Sequence, residues 1–111
     1  MDRISTAGFA GDRLDRPGRY AVCFSADWCP FCQRFARLFE EWQAPRGVHR
    51  AVIDLTDTDS PLWDRFDVQV VPTLAVFVDG ELTWRRNGRR MRGLKERDLA
   101  DLSAALAALP S

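Results

Sequence analysis

The run Tyr20-Ala21-Val22-Cys23-Phe24-Ser25 is uncharged and rich in β-formers, the pattern of a strand buried on both faces. The period then changes. Phe31, Phe35, Leu38, Phe39 and Trp42 fall at i, i+4, i+7, i+8 and i+11, one face of a helix that opens near Pro30 and is ended by Pro45 and Gly47. Arg50 to Leu55 reads as a second strand. Ser60-Pro61 is a cap with proline at the first helical position, opening a short helix that carries Leu62, Trp63 and Phe66. Thr73 to Val78 is a third strand, Asp79-Gly80 a two-residue hairpin turn, and Glu81 to Arg85 the return strand. Leu99, Leu102, Leu106 and Leu109 form the buried stripe of a last helix from about Lys95 to Leu109. The residues before Pro17-Gly18 are mixed and hold no sustained period. A short helix or loose strand over Phe9 to Leu14 is the most they suggest.

Strand–helix–strand–helix–strand–strand–helix is an α/β order. The first two long strands can run parallel through a right-handed crossover, whereas the Asp-Gly hairpin is antiparallel. The expected fold is a mixed central sheet with helices on both faces, in a single domain over residues 1–111 with 1–18 as a poorly defined extension. With 111 residues, 46% of them apolar, such a chain can bury a core without covalent staples. Sixteen Lys and Arg balance sixteen Asp and Glu, which argues against a nucleic-acid binder. The charge is nevertheless uneven along the chain: Asp54 to Asp67 is acidic and Arg85 to Arg97 is basic. No segment is long and apolar enough to span a bilayer, and the start lacks a leader pattern, so a cytoplasmic protein that binds no membrane is expected.

Three cysteines cannot all pair within one chain, so a reducing setting is the simpler expectation. Cys29-Pro30-Phe31-Cys32 lies where the buried strand hands over to the helix. A helix N-terminus presents free backbone N–H groups and a partial positive charge, which suit an attacking sulfur at Cys29. Cys32 follows one turn later on the same side and can resolve a mixed disulfide at Cys29. A zinc site would need four ligands, and only Cys23 and His49 remain, neither at paired spacing; no metal is expected. Cys23 reads as a small buried hydrophobe and His49 as a surface residue. Asp54, Asp57 and Asp59 lack the glycine and terminal glutamate of a calcium loop and read as turn and cap residues.

Val22-Cys23-Phe24-Ser25-Ala26-Asp27-Trp28-Cys29-Pro30-Phe31-Cys32 resembles the active-site segment of the thioredoxin family. Val71-Pro72-Thr73 is similar to its cis-proline loop and Phe77-Val78-Asp79-Gly80-Glu81 to its hairpin, and Gly93 precedes the last helix as it does there. The resemblance spans about Tyr20 to Leu109. It implies a thioredoxin-like fold and a thiol–disulfide oxidoreductase with Cys29 as nucleophile, Cys32 as resolving thiol and no bound cofactor. Its partners would be protein disulfide substrates and a reductase or small-thiol electron donor, met by a monomer. It implies that Pro72 is cis and faces the sulfurs, although trans is the ordinary state of an X-Pro bond, and that the backbone at Val71 pairs with an extended substrate segment. The substrate-binding set would be Trp28, Pro30, Phe31, Val71, Pro72, Thr73, Arg92 and Gly93. Trp28 and Phe31 are either an apolar platform for a partner segment or packing residues around the motif.

Three departures accompany the resemblance. Pro30-Phe31 stands where thioredoxins usually carry Gly-Pro, and Cys-Pro-aromatic-Cys is similar to glutaredoxins. Cys23 replaces a usual buried Asp, and Arg50 the Lys near it. A glutathione-dependent glutaredoxin is the nearest rival, opposed by Trp28, by the Val-Pro-Thr order and by the absence of a Gly-Gly-Asp-type loop near Gly93. A non-catalytic binding module on the same fold is the other rival. Two further expectations follow from the motif and its surroundings. The backbone N–H groups of Phe31 and Cys32 should both reach the Cys29 sulfur, since Pro30 is the one residue without a donor. Arg85, Arg86, Arg89, Arg90 and Arg92 should form a basic edge that recruits acidic partner segments.

Overall fold

In the computed structural model, which describes residues 1–110, the apolar run of β4 (Arg19–Ser25) becomes the central strand of the sheet. Ahead of it lie β1 (Asp2–Ile4), a single 3₁₀ turn, and a two-stranded ribbon of β2 (Phe9–Ala10) and β3 (Arg13–Leu14). After it come α1 (Pro30–Glu41), β5 (Val48–Asp54), α2 (Leu62–Arg65), β6 (Thr73–Val78), β7 (Glu81–Arg86) and α3 (Glu96–Ala107). The main sheet has the order β1-β5-β4-β6-β7. β4 pairs parallel with β5 and antiparallel with β6, and β6 pairs antiparallel with β7, so the mixed sheet expected from the element order is present.

Alternation along the central strands divides the core into two apolar layers. Val22 and Phe24 of β4, Ile53 of β5 and Phe77 of β6 face a layer closed by Leu62 and Phe66 and by Ile4 and Leu14 from the N-terminal segment. Ala21 and Cys23 of β4 and Leu74 and Val76 of β6 face a layer closed by Phe35 and Phe39 of α1 and by Leu99, Leu102 and Leu106 of α3. α1 and α3 therefore cover one face, and α2 with the N-terminal segment covers the other. Asp79 and Gly80 both have positive φ, 49° and 90°, the twist a two-residue hairpin turn needs.

The first eighteen residues are not a loose extension. β1 adds to the sheet edge in parallel with β5, pairing Asp2–Ile4 with Ala51–Ile53. Ile4 and Leu14 are each 2% exposed. The segment is also tied to the β6–β7 hairpin. Leu14 N–H donates to the Gly80 carbonyl at 2.9 Å, and Gly18 N–H to the Asp79 carboxylate at 2.7 Å. Strands β1 and β3, three and two residues long, each bury one apolar side chain and are too short to show a period.

Arg50, which the resemblance sets in the place of a lysine, secures α1. Its guanidinium Nη1 lies 3.1, 2.7 and 3.0 Å from the carbonyls of Phe39, Glu40 and Trp42, groups that the helix end leaves without intrahelical partners. Arg50→Met keeps the stem and removes the donors. It is expected to lower unfolding free energy by about 1–2 kcal/mol, read as a lower denaturant midpoint at unchanged m-value.

Candidate functional site

The Cys29–Cys32 segment sits at the C-terminal end of β4, where the sheet's central strand delivers the chain onto α1. Cys29 is the N-cap of α1 with extended backbone (φ −98°, ψ 114°), and Pro30 occupies the first turn, where its missing N–H costs nothing. The Cys29 sulfur accepts the Cys32 N–H at 3.2 Å. Phe31 N–H makes no such bond, so one backbone donor serves this sulfur and not the two expected from the sequence. The Cys29 thiol points at the Val71 carbonyl, 3.6 Å away. All three cysteines are free thiols.

Cys29 is 5% exposed and Cys32 2%. A sulfur at a helix entrance would be expected to lie open to solvent, yet the Cys29 sulfur is covered, with the Val71 carbonyl on one side and the Cys32 backbone on the other. What separates the two thiols is their electrostatic setting. Burial, and then the adjacent Cys29, push the Cys32 thiol up to about 12 against the smaller opposing effects of the Ala26 backbone and the Ser25 hydroxyl. Cys32 thus holds its proton at neutral pH. Cys23, in the other core layer, is pushed up as well, by burial first and then by Cys32 and Cys29. It packs as the small hydrophobe its sequence context suggests.

The Val71–Pro72 peptide bond is cis, as the resemblance implied. Thr73 fixes this loop from below: its buried hydroxyl donates to the Val70 carbonyl at 2.7 Å and accepts Gly88 N–H at 3.2 Å. Gly88 is required there, because a Cβ would sit 2.1 Å from the Pro72 carbonyl oxygen. Gly93, at φ +68°, lies against the motif; a Cβ on it would approach the Phe31 Cβ at 3.0 Å. The structure thus gathers Cys29, Cys32, Phe31, Val71, Pro72 and Gly93, with Thr73 beneath the loop. Pro30 is exposed at the helix entrance, and Arg92 is exposed beside Gly93.

Trp28 is 53% exposed, which fits a platform, yet it is also held. Its indole N–H donates to the Thr56 carbonyl at 2.9 Å, and its ring stacks on Trp63 at 6.4 Å between centroids and 13° between planes. Trp63 in turn donates to the Asp57 carbonyl at 3.1 Å. Thr56 is the pivot, since its hydroxyl also receives Asp27 N–H at 3.0 Å and is bound by Asp54. The Asp54–Asp59 stretch is accordingly a set of turn residues that seats the tryptophans. Thr56, Trp63 and Gly88 carry no motif signal in the sequence; only the fold brings them here.

The basic edge is smaller than the sequence suggests. Arg85 donates to the Phe66 and Asp67 carbonyls, and Arg86 and Arg89 are bound by Asp98. These three arginines hold the fold. Among the described residues, Arg90 and Arg92 form no ion pair, and Arg92 is exposed. His49 is a surface residue stacked on Tyr20. Among the described residues, no group of three or more His, Cys, Asp and Glu could hold a metal ion, and no helix is long and apolar enough to cross a membrane.

A family model described as Thioredoxin matches residues 5–102. The thioredoxin of Mycobacterium tuberculosis is 32% identical over 101 residues, covering 90% of this chain and 87% of that protein. The bifunctional thioredoxin reductase/thioredoxin of Mycobacterium leprae is 29% identical over 100 residues, covering 89% of this chain and 22% of that protein. In three dimensions the chain is similar to the structure of a mutant thioredoxin from Halobacterium salinarum, with a TM-score of 0.70 and 27% identity, covering 99% of this chain and 95% of that one.

Proposed function

Since the chain belongs to the thioredoxin family and is a thiol–disulfide oxidoreductase, we propose that Cys29 is its nucleophile and Cys32 its resolving thiol, acting on disulfides of protein partners. The observation that carries this assignment is the asymmetry of the pair. The Cys29 sulfur receives a backbone N–H and faces the proline loop, whereas the Cys32 thiol is held protonated inside the first turn.

The exchange proceeds in two displacements. The Cys29 sulfur, as thiolate, attacks one sulfur of the partner's disulfide. A Cys29–partner bond forms, and the partner's other sulfur leaves as a thiolate. The polar neighbours acting on Cys32 are Cys29, the Ala26 backbone and the Ser25 hydroxyl, with no carboxylate among them. The departing partner thiolate, released beside Cys32, is a base that can take the Cys32 proton. Cys32 then attacks Cys29, the Cys29–Cys32 disulfide forms, and the second partner sulfur is released. The partner gains two electrons, one proton from Cys32 and one from solvent that replaces the proton Cys29 gave up on forming its thiolate, and an external thiol donor reverses the change in this chain. A thioredoxin reductase is the donor class suggested by the fused mycobacterial relative. Val71 offers backbone for an extended partner segment, with Trp28, Pro30, Phe31, Pro72, Thr73, Arg92 and Gly93 around it. We place the reaction in the cytoplasm, carried out by a monomer consisting of one domain.

Limiting alkylation of the reduced protein, followed by peptide mapping, tests the assignment. At neutral pH the label should enter Cys29 first, because Cys32 is protonated and Cys23 lies in the opposite core layer. Preferential labelling of Cys32 would overturn it.

A further inference from the structure

Beside the redox segment, α1 and the start of α3 enclose an open groove of about 630 Å³. Its floor is apolar, with Phe35 and Leu94 buried and Phe31 and Leu38 half-buried. Its rim carries Arg34, Arg92, Lys95 and Arg97, all exposed, against the single carboxylate of Glu96. The chain as a whole is neutral, so this is a local excess of three positive charges. None of the four cations forms an ion pair among the described residues. The nearby Asp98, which could have neutralised them, is already bound by Arg86 and Arg89. The Arg34 guanidinium lies over the Phe31 ring, 5.6 Å from its centroid, so the cationic rim and the redox segment share a side chain.

We propose that this groove is a docking subsite for an acidic segment of the disulfide-bearing partner, one in which an apolar side chain is flanked by carboxylates. The inference rests on the reading of Cys29–Cys32 as the redox pair and specifies which partners that pair serves. An apolar floor under a cationic rim matches an apolar side chain between two carboxylates. Phe31 connects the floor directly to the Cys-Pro-Phe-Cys segment. A partner whose cystine meets Cys29 can lay its neighbouring residues into the groove, and attachment at one point raises the effective concentration at the other. The unpaired rim charges also steer the first encounter. This basic surface is not the Arg85–Arg92 edge read from the sequence: its cations come from α1 and from the entrance of α3, and of that edge only Arg92 takes part.

The test compares two cystine peptides of equal length, one with leucine between glutamates and one with leucine between lysines. At low ionic strength the full chain should exchange with the acidic peptide about tenfold faster, and about 0.5 M salt should bring the two within roughly twofold. The double substitution Arg34→Glu, Arg97→Glu should remove the preference or reverse it, while turnover of a small neutral disulfide stays within about twofold. Comparable rates for both peptides at low salt would overturn the inference. So would an equal loss by the double variant on the neutral disulfide. A wild-type chain inactive on the neutral disulfide would refute the redox reading instead. In that event docking is decided by fluorescence anisotropy of the acidic peptide with its cysteines replaced by serine. Salt-sensitive binding that the double variant abolishes upholds the groove, and no binding overturns it.

Discussion

Cys29→Ser is expected to abolish disulfide exchange, a loss on the order of a thousandfold or more in kcat/KM, with the fold intact. A serine hydroxyl at Cys29 remains protonated at neutral pH and forms no mixed disulfide with the partner, so neither half of the cycle survives. Cys32→Ser should behave differently. The Cys29 sulfur keeps its N–H donor from residue 32, because that bond comes from the backbone. The first displacement should therefore proceed and the second should fail. A covalent complex should accumulate on incubation with a protein disulfide, and it should be dissolved by added dithiol. The measurement is mass spectrometry of the trapped species. If Cys29→Ser accumulates the complex and Cys32→Ser does not, the roles are exchanged. Cys23→Ala should do neither: Cys23 faces the layer of Phe35, Leu74 and Val76, and its effect should be confined to packing.

The parts of this site legible in the sequence are those where one local pattern sets both structure and chemistry. An uncharged run followed three residues later by Cys-Pro-Phe-Cys and a helical period placed both sulfurs at the entrance of α1. Asp79-Gly80 set the turn between β6 and β7. The parts that were not legible depend on residues brought together from separate segments. Arg50 reaches back to carbonyls that precede it by eight to eleven positions. Trp63 stacks on Trp28 because the fold brings α2 beside the start of α1, and neither indole signals the other. The N-terminal segment failed as a pattern because Ile4 and Leu14 each anchor a strand too short to alternate. The arginine cluster misled in a different way. Charge counted along the chain makes Arg85, Arg86 and Arg89 a surface feature, whereas carbonyls and the buried Asp98 absorb all three.

Asp98 is the one fully buried carboxylate among the described residues, 0% exposed. Its removal should produce the largest stability change outside the apolar core. The carboxylate accepts Arg86 at 2.9 Å, Arg89 through two nitrogens at 3.1 Å each, and the Lys95 backbone N–H at 2.7 Å, where it caps α3. Burial alone would raise its pKa. The hydrogen bonds from Arg89, Lys95 N–H and Arg86 outweigh burial and hold it down to about 2, from the ordinary 3.8. A depressed folded-state value contributes stability above the unfolded pKa, and that contribution is lost as pH falls toward the folded value. Asp98→Ala should cost about 3 kcal/mol near neutral pH, since two guanidinium groups and a helix N–H lose their acceptor. Both arginines are about one-third exposed at the side chain and can turn to water, which keeps the cost near the lower end for a broken buried pair. Asp98→Asn preserves the shape and removes the charge. The gap between wild type and this variant should shrink by about 2 kcal/mol between about pH 6 and pH 2, with most of the change below pH 4. Urea unfolding of both proteins across that range measures it, and a gap independent of pH would refute the account. The damage should also reach the redox segment. Arg89 exchanges backbone hydrogen bonds with Gly93, at 3.1 and 2.8 Å, and Gly93 lies against Phe31. Freed from Asp98, this loop no longer presses on the Cys-Pro-Phe-Cys turn, so peptide exchange by Asp98→Asn should fall by a few-fold even under conditions where the variant is fully folded.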